Sequence, residues 1–267
     1  MAELGVSGLL LLFLLGLRHG LDPDHLALID GMTLQVQAKR PALAPWVGFW
    51  FALGHGVVVT VMAMLVSAGV PQLELPEALQ AGAEWLPVVL LFVVGTSNLL
   101  ALRRHRLTMP RSWREWLLPR AWRGASHPLG IFLVGVFFAT IFETLTQAAT
   151  WGYVATLQGG VSTAWLMGAV FTLGMLLTDT LDSRLVTRLV HNATPALALA
   201  RRRLLCAAVA VLAYTMVLYS IISHFFPVLT LHDHVYSAIG LLLFAGSLLW
   251  WGLQRRAGPH SAAEIVN

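Results

Sequence analysis

Apolar residues in this chain form runs too long for amphipathic surface helices. A membrane-spanning helix needs about 20 consecutive, mostly apolar residues. Seven such runs can be drawn: Gly5–Met32, Leu43–Val70, Leu86–Leu102, Leu129–Leu157, Thr163–Leu185, Leu204–Phe226 and Val235–Leu253. Their continuity, without alternation, predicts seven helices and no strands. The expected architecture is an all-α polytopic bundle forming one transmembrane domain over residues 1–267. It divides into a first helix triplet (5–102), a basic loop (103–128), a second triplet (129–226) and a last helix (235–253).

Polar residues between the runs predict the orientation. Lys39 and Arg40 follow run one, Arg103 to Arg123 crowd the loop after run three, and Arg201 to Arg203 precede run six; Arg255 and Arg256 follow run seven. The intervening loops carry no basic residue. Cytoplasmic loops are enriched in Lys and Arg, so the N-terminus is expected outside and the C-terminus in the cytoplasm. The first run lacks a basic leader and a small-residue cleavage site, which predicts a retained helix and not a signal peptide.

Composition agrees. Hydrophobic residues make up 57% of the 267 and charged residues 11%, and the mean hydropathy is +0.74. Soluble domains have roughly 25% charged residues. The formal charge of +4 is explained by the loop arginines, so no nucleic-acid partner is called for; the partner is the lipid bilayer. One cysteine, Cys206, excludes an intrachain disulfide framework and a thiolate cluster.

A weak repeat also shows. Run two contains Phe51-Ala52-Leu53-Gly54-His55 with Thr60 beyond it; run five contains Phe171-Thr172-Leu173-Gly174-Met175 with Thr180 at the same offset. With three runs per unit, the two triplets would be inverted repeats, an arrangement many secondary transporters use, with the binding site between the repeats.

Ionisable residues inside apolar runs are costly and mark function. Run one holds Arg18-His19-Gly20-Leu21-Asp22-Pro23-Asp24-His25, with Asp30 further on. Imidazole and carboxylate together suit nickel, cobalt or zinc better than magnesium or copper(I). On a regular helix His19, Asp22 and His25 share a face while Asp24 points away. Pro23 favours a break that could gather all four. The competing reading, a capped helix end at the water interface, fits poorly with a position inside a long apolar run. Run two holds His55 between glycines, which permit close helix approach; alone, this histidine could equally be a packing residue. Glu143 with Gln147, and Asp179 with Asp182, pair on helix faces. They could line an ion path, relay protons, or neutralise Arg18 and Arg184. His232-Asp233-His234 reads as a solvated outer turn that could also gather ions.

These motifs resemble those of the bacterial nickel/cobalt transporter family. The family's His-x4-Asp-His helix is matched by His19 to His25. Its LGHSTVV motif is similar to Leu53 to Val59, its LGFDTATEI motif to Ile141 to Gln147, and its GMxxxDTxDG motif to Gly174-Met175 with Asp179-Thr180-Leu181-Asp182-Ser183. Departures are Gly56 and Val57 for Ser-Thr, Glu143 for Asp, and Ser183 for Gly; family members usually have an eighth helix ahead of the His-x4-Asp-His helix. The resemblance implies a multi-pass permease of the bacterial cytoplasmic membrane that takes up Ni2+ or Co2+ as substrate, needs no cofactor and is not an enzyme. It also implies metal ligands His19, Asp22, Asp24, His25 and His55, with Arg18, Glu143, Gln147, Asp179 and Asp182 along the path. No Gly-x4-Gly-Lys-[Ser/Thr] loop occurs, which points to secondary transport. Protons would compete with metal for the ligands. Two alternatives share this chemistry: an exporter, which would favour a His-rich loop, and an intramembrane metalloenzyme, whose His-x2-His-His or His-Glu-x-x-His boxes are absent.

Overall fold

A computed structural model describes residues 6–69, 77–103, 127–139, 142–191, 195–229 and 233–256. Among them the regular structure is helical, without strands. In order come α1 (Val6–His19), α2 (Pro23–Lys39), α3 (Val47–Ser67), α4 (Glu77–Arg103), α5 (Pro128–Phe138), α6 (Phe142–Gln158), α7 (Val161–His191), α8 (Pro195–Phe225) and α9 (Asp233–Arg256). Helices α3, α4, α7 and α8 are each long and apolar enough to cross a bilayer, and α1 with α2 form one span bent by 59°. Among the described residues each predicted run is mostly helix, but four or five spans stand where seven were expected. The basic segment 104–126 lies outside the described residues.

Three expectations need adjustment. Run one is two helices: the chain leaves helical geometry after His19, and α2 restarts with Asp22 as extended N-cap and Pro23 in its first turn. Proline suits that position because its missing N–H would be unsatisfied anyway. Run four is likewise two helices, α5 and α6. The helices also outrun their apolar windows: α7 has 31 residues, about 46 Å at 1.5 Å per residue, against a hydrocarbon core of about 30 Å. Arginines that end an apolar window are good helix formers in water, so hydropathy marked the membrane portion and not the helix.

The repeat is built into the packing. Gly16 of α1 lies against the Phe171 carbonyl of α7, and Gly174 of α7 against the Phe13 carbonyl of α1. Gly135 of α5 lies against the Phe51 carbonyl of α3, and Gly54 of α3 against the Phe132 carbonyl of α5. The second crossing is the first displaced along the chain. Gly16 and Gly135 stand 119 residues apart (135 − 16), as do His19 and Phe138, which end α1 and α5, and Pro23 and Phe142, which begin α2 and α6. Helices α2 and α6 each have 17 residues. Each unit therefore has a helix broken at the same place, and its first half packs on the second span of the other unit.

The counterpart helices α3 and α7 run antiparallel. Gly48 lies on the Asp179 backbone, Gly56 on Thr172, and Gly168 on Thr60. The two units are thus inverted, related by a pseudo-two-fold axis through the α3–α7 crossing. Helix α9 stands outside both units and touches the first through Gly240, which lies on the Leu21 carbonyl. The turn from α6 to α7 is made by Gly159 and Gly160 at φ 145° and 74°, a region L side chains rarely adopt.

Lipid tails are as apolar as leucine, so helices in a bilayer associate through close packing of small residues. A methyl at any of the four crossing glycines would collide with the facing backbone. Gly16→Ala and Gly135→Ala should each cost about 1–3 kcal/mol, as overpacking does. Gly246→Ala, with nothing within 4 Å, should stay within about 0.5 kcal/mol. Thermal unfolding of the purified protein in detergent checks both.

Candidate metal centre

The broken helix delivers the first two histidines. His19 is the last residue of α1 and His25 lies in the first turn of α2. Between them Leu21 N–H donates to the Arg18 carbonyl and Asp22 N–H to the His19 carbonyl, both at 3.0 Å. This tight turn swings the two imidazoles together, with ring centroids 4.6 Å apart. Gly20 makes the turn possible, because a side chain there would meet Asp179 and Thr178 of α7. Thr178 Oγ1 in turn donates to the Leu17 carbonyl at 3.1 Å, satisfying one of the carbonyls orphaned at the end of α1.

The third histidine comes from α3. His55 follows the crossing glycine Gly54, so the backbone contact that locks α3 to α5 also sets its depth. Its ring centroid is 5.2 Å from that of His19 and 4.9 Å from that of His25. One ring nitrogen from each of His19, His25 and His55 can be chosen so that all three lie within 4.8 Å of one another. A tetrahedral ion with Zn–N-like bonds near 2.0–2.1 Å holds its nitrogens closer than this, so small rotations of the rings would close the set on a metal.

Hydrogen bonding orders the rings. His19 Nδ1 is 3.1 Å from Asp22 Oδ2. An ionised carboxylate only accepts, so Nδ1 carries the proton and Nε2 presents a lone pair. That Nε2 is 3.3 Å from His55 Nε2, which then donates to it. His25 is the unsatisfied member. It is 1% exposed, and neither ring nitrogen has a hydrogen-bond partner; Asp179 Oδ2 stands 3.7 Å from its Nδ1. Both carboxylate oxygens of Asp179 and the Nδ1 of His55 are also buried without a hydrogen bond. Leaving one such group unpaired costs about 1–3 kcal/mol. Five of them on three neighbouring side chains suit a guest that supplies charge and coordination.

Phe51 and Phe138 stand edge-on to His25, each with centroids 5.3 Å away, and Phe171 lies 5.5 Å from His19. Behind these rings His25 and His55 are fully buried, while His19 keeps partial exposure. Sequence reasoning passed over the rings because phenylalanine in an apolar run looks like packing. The repeat offset could have flagged Phe138, the counterpart of His19. The same offset sets Glu143 opposite Asp24, and the offset of 120 that relates Phe51 to Phe171 sets Met175 opposite His55, so the three histidines of the centre belong to the first unit alone.

The structure gathers only part of the expected ligand set. His19, His25 and His55 meet directly. Asp22 sits one step behind, on His19. Asp24 has turned to accept from the His25 backbone N–H at 2.9 Å. Arg18 is exposed in the last turn of α1. Asp179 reaches the centre and Asp182 lies one turn further along α7. Glu143 and Gln147 lie on α6, but their side chains fall outside the described residues, as does the His232-Asp233-His234 cluster. Arg184, for which a carboxylate partner was one alternative, has its guanidinium stacked 4.6 Å over the Trp46 ring.

Comparison with known proteins bears on this centre. The profile of the family described as "High-affinity nickel-transport protein" matches residues 6–226. The chain is 31% identical over 209 residues to the high-affinity nickel transport protein of Cupriavidus necator, covering 66% of this chain and 58% of that protein. It is 32% identical over 215 residues to the cobalt transport protein NhlF of Rhodococcus rhodochrous, covering 67% and 58%. It is 30% identical over 217 residues to the nickel transporter NixA of Staphylococcus aureus, covering 68% and 61%. The chain thus spans about three fifths of the length of these curated relatives. No solved structure matches it significantly.

Outer carboxylates that orient a ligating histidine typically contribute 10–100-fold to metal affinity. Asp22→Asn should therefore weaken nickel binding by about that factor, with thermal stability retained, while His55→Ala should abolish it. Calorimetric titration of the purified protein with nickel measures both; unchanged affinity in Asp22→Asn would show that the His19–Asp22 contact has no part in binding.

Proposed function

The chain belongs to the high-affinity nickel-transport family, and from that premise we propose that it is a secondary carrier moving divalent nickel or cobalt into the cytoplasm. The observation that carries the reading is the trio His19, His25 and His55 within 4.8 Å of one another, the last two buried and the first half-buried, set where α1 breaks into α2. The printed names of its relatives, nickel transport and cobalt transport proteins, support the substrate class.

The reading assigns roles as follows. The three imidazoles bind the ion, with Asp22 holding His19 in the tautomer that offers Nε2. Asp24 and Asp179 balance its charge. Asp179 and Asp182 continue the path along α7, and Glu143 with Gln147, across the repeat axis on α6, are its expected lining on the other unit. Imidazole ligands suit nickel and cobalt better than magnesium or calcium, which supports selectivity against the abundant hard cations. The inverted units support alternating access, in which one unit rocks on the other about a fixed site. The crossings of α1 on α7 and α5 on α3 are the natural pivots. Uptake is favoured over export because the loop 103–128 holds arginines and only His105 and His127 among possible imidazole ligands.

The test is uptake of labelled nickel and cobalt by liposomes containing the full chain. Wild type should accumulate both ions, each competing with the other. His19→Ala should fall to the level of empty liposomes. Wild-type rates in His19→Ala, or no entry with either ion, would refute the carrier reading.

A further inference from the structure

A charged cleft lies away from the histidine centre, between α2, α4 and α8. Gly31 of α2 rests against Val94 and Asn98 of α4 and Val209 of α8, so the three helices are in close contact at that level. Toward the end of α2 they enclose a cleft of about 330 Å³, its open mouth included. Its polar lining is Gln35 and Lys39 of α2, Ser97 and Asn98 of α4, and Arg202 of α8. None of the residues lining it is acidic.

Arg202 is the unusual member. Arginines that only mark the cytoplasmic side of a membrane protein stay in water, as the exposed Arg203 does. Arg202 instead turns inward and is half-buried. Its Nη2 donates to the Leu34 carbonyl at 2.9 Å, which holds the guanidinium against α2, and its Nε is buried without a hydrogen-bond partner. Among the described residues no carboxylate pairs with it. A guanidinium is always charged, and taking such a charge from water without a counter-ion is costly. Ser97 and Asn98 across the cleft are buried, and Asn98 is fixed by its Nδ2 donating to the Val94 carbonyl at 2.9 Å. Two cations beside fixed hydroxyl and amide groups, with no acid among them, form a receptor for an oxyanion.

Depth selects the oxyanion. Ala101 on the cleft wall stands next to the end of the apolar span Trp85–Leu102, and Arg202 near the start of Leu199–Phe225. The cleft is therefore where the hydrocarbon core gives way to headgroups. Basic pockets between spanning helices at this level suit anionic headgroups. We propose that the cleft binds the phosphate of an anionic phospholipid, with Arg202 and Lys39 supplying the positive charge. Helices α2 and α4 belong to the first unit and α8 to the second, so the bound lipid ties the two units together at their basic end. The site shares no residue with the histidine centre and is independent of the substrate and direction of transport.

The probe is dioleoyl phosphatidylglycerol, added to the delipidated full chain in neutral detergent and counted by native mass spectrometry. Wild type should retain one phosphatidylglycerol in preference to phosphatidylcholine, whose phosphate is neutralised by its own choline. Arg202→Gln should weaken that retention by about tenfold or more. Arg203→Gln, which removes the same charge from the exposed neighbour, should stay within about threefold of wild type. If Arg202→Gln unfolds early in a thermal scan, Lys39→Gln replaces it with the same expectation. Equal retention of the two lipids, or equal losses in the cleft variant and Arg203→Gln, would reduce the effect to surface charge and overturn the site. Displacement of the lipid by millimolar inorganic phosphate would make free phosphate the ligand and overturn its assignment to a lipid.

Discussion

Everything in this molecule hangs on two backbone-to-backbone crossings. Phe13 to Gly16 of α1 pack against Phe171 to Gly174 of α7, and Phe132 to Gly135 of α5 against Phe51 to Gly54 of α3. In a bilayer no hydrophobic gain separates a helix–helix contact from a helix–lipid contact, so affinity must come from closeness. Glycine gives that closeness by letting a carbonyl of one helix lie where a side chain would otherwise be. Because each crossing joins the broken helix of one unit to the second span of the other, neither unit can be removed without losing both. The interlock also places Gly54, and with it His55, at a fixed depth beside the axis.

The break between α1 and α2 is the second element of the design. A continuous helix would point its polar residues along one stripe, with Asp24 off it. Ending α1 at His19 and restarting at Pro23 instead turns two successive helix ends toward one point. The cost is a set of unpaired backbone groups within the membrane, tolerable only where protein covers them. Thr178 covers the Leu17 carbonyl, α9 lies over Leu21 through Gly240, and Gly20 admits α7 to the gap. The same break without histidines recurs between α5 and α6. The repeat therefore supplies the scaffold, and the chemistry has been laid on one half of it. Under the proposed carrier reading both units would move as equivalents while the ion met a single set of imidazoles.

Much of this was open to reading from the chain. Seven apolar runs, alternating basic loops and the placement of His19, His25 and His55 inside those runs follow from transfer energetics, which act residue by residue and leave their mark in composition. The inverted repeat was visible as well, though faintly, through Phe51 to Gly54 and Phe171 to Gly174, because the glycines that make the crossings must recur wherever the crossing recurs. Breaks were harder to see. Pro23 announced the first, whereas α5 and α6 are divided at a place that no proline or glycine marks.

What only the tertiary structure decided is which polar residues meet. Sequence alone determined that imidazoles and carboxylates lie within the membrane, since their burial cost can be read from their neighbours along the chain. It could not determine that His55 joins His19 and His25 while Asp22 falls behind His19, or that Asp24 turns to the His25 backbone N–H. Those pairings depend on the angle of a 59° bend and on the register of helices brought together by glycines far away in sequence. Hydrophobicity is a local property and coordination is not, and the chain records the first far more plainly than the second.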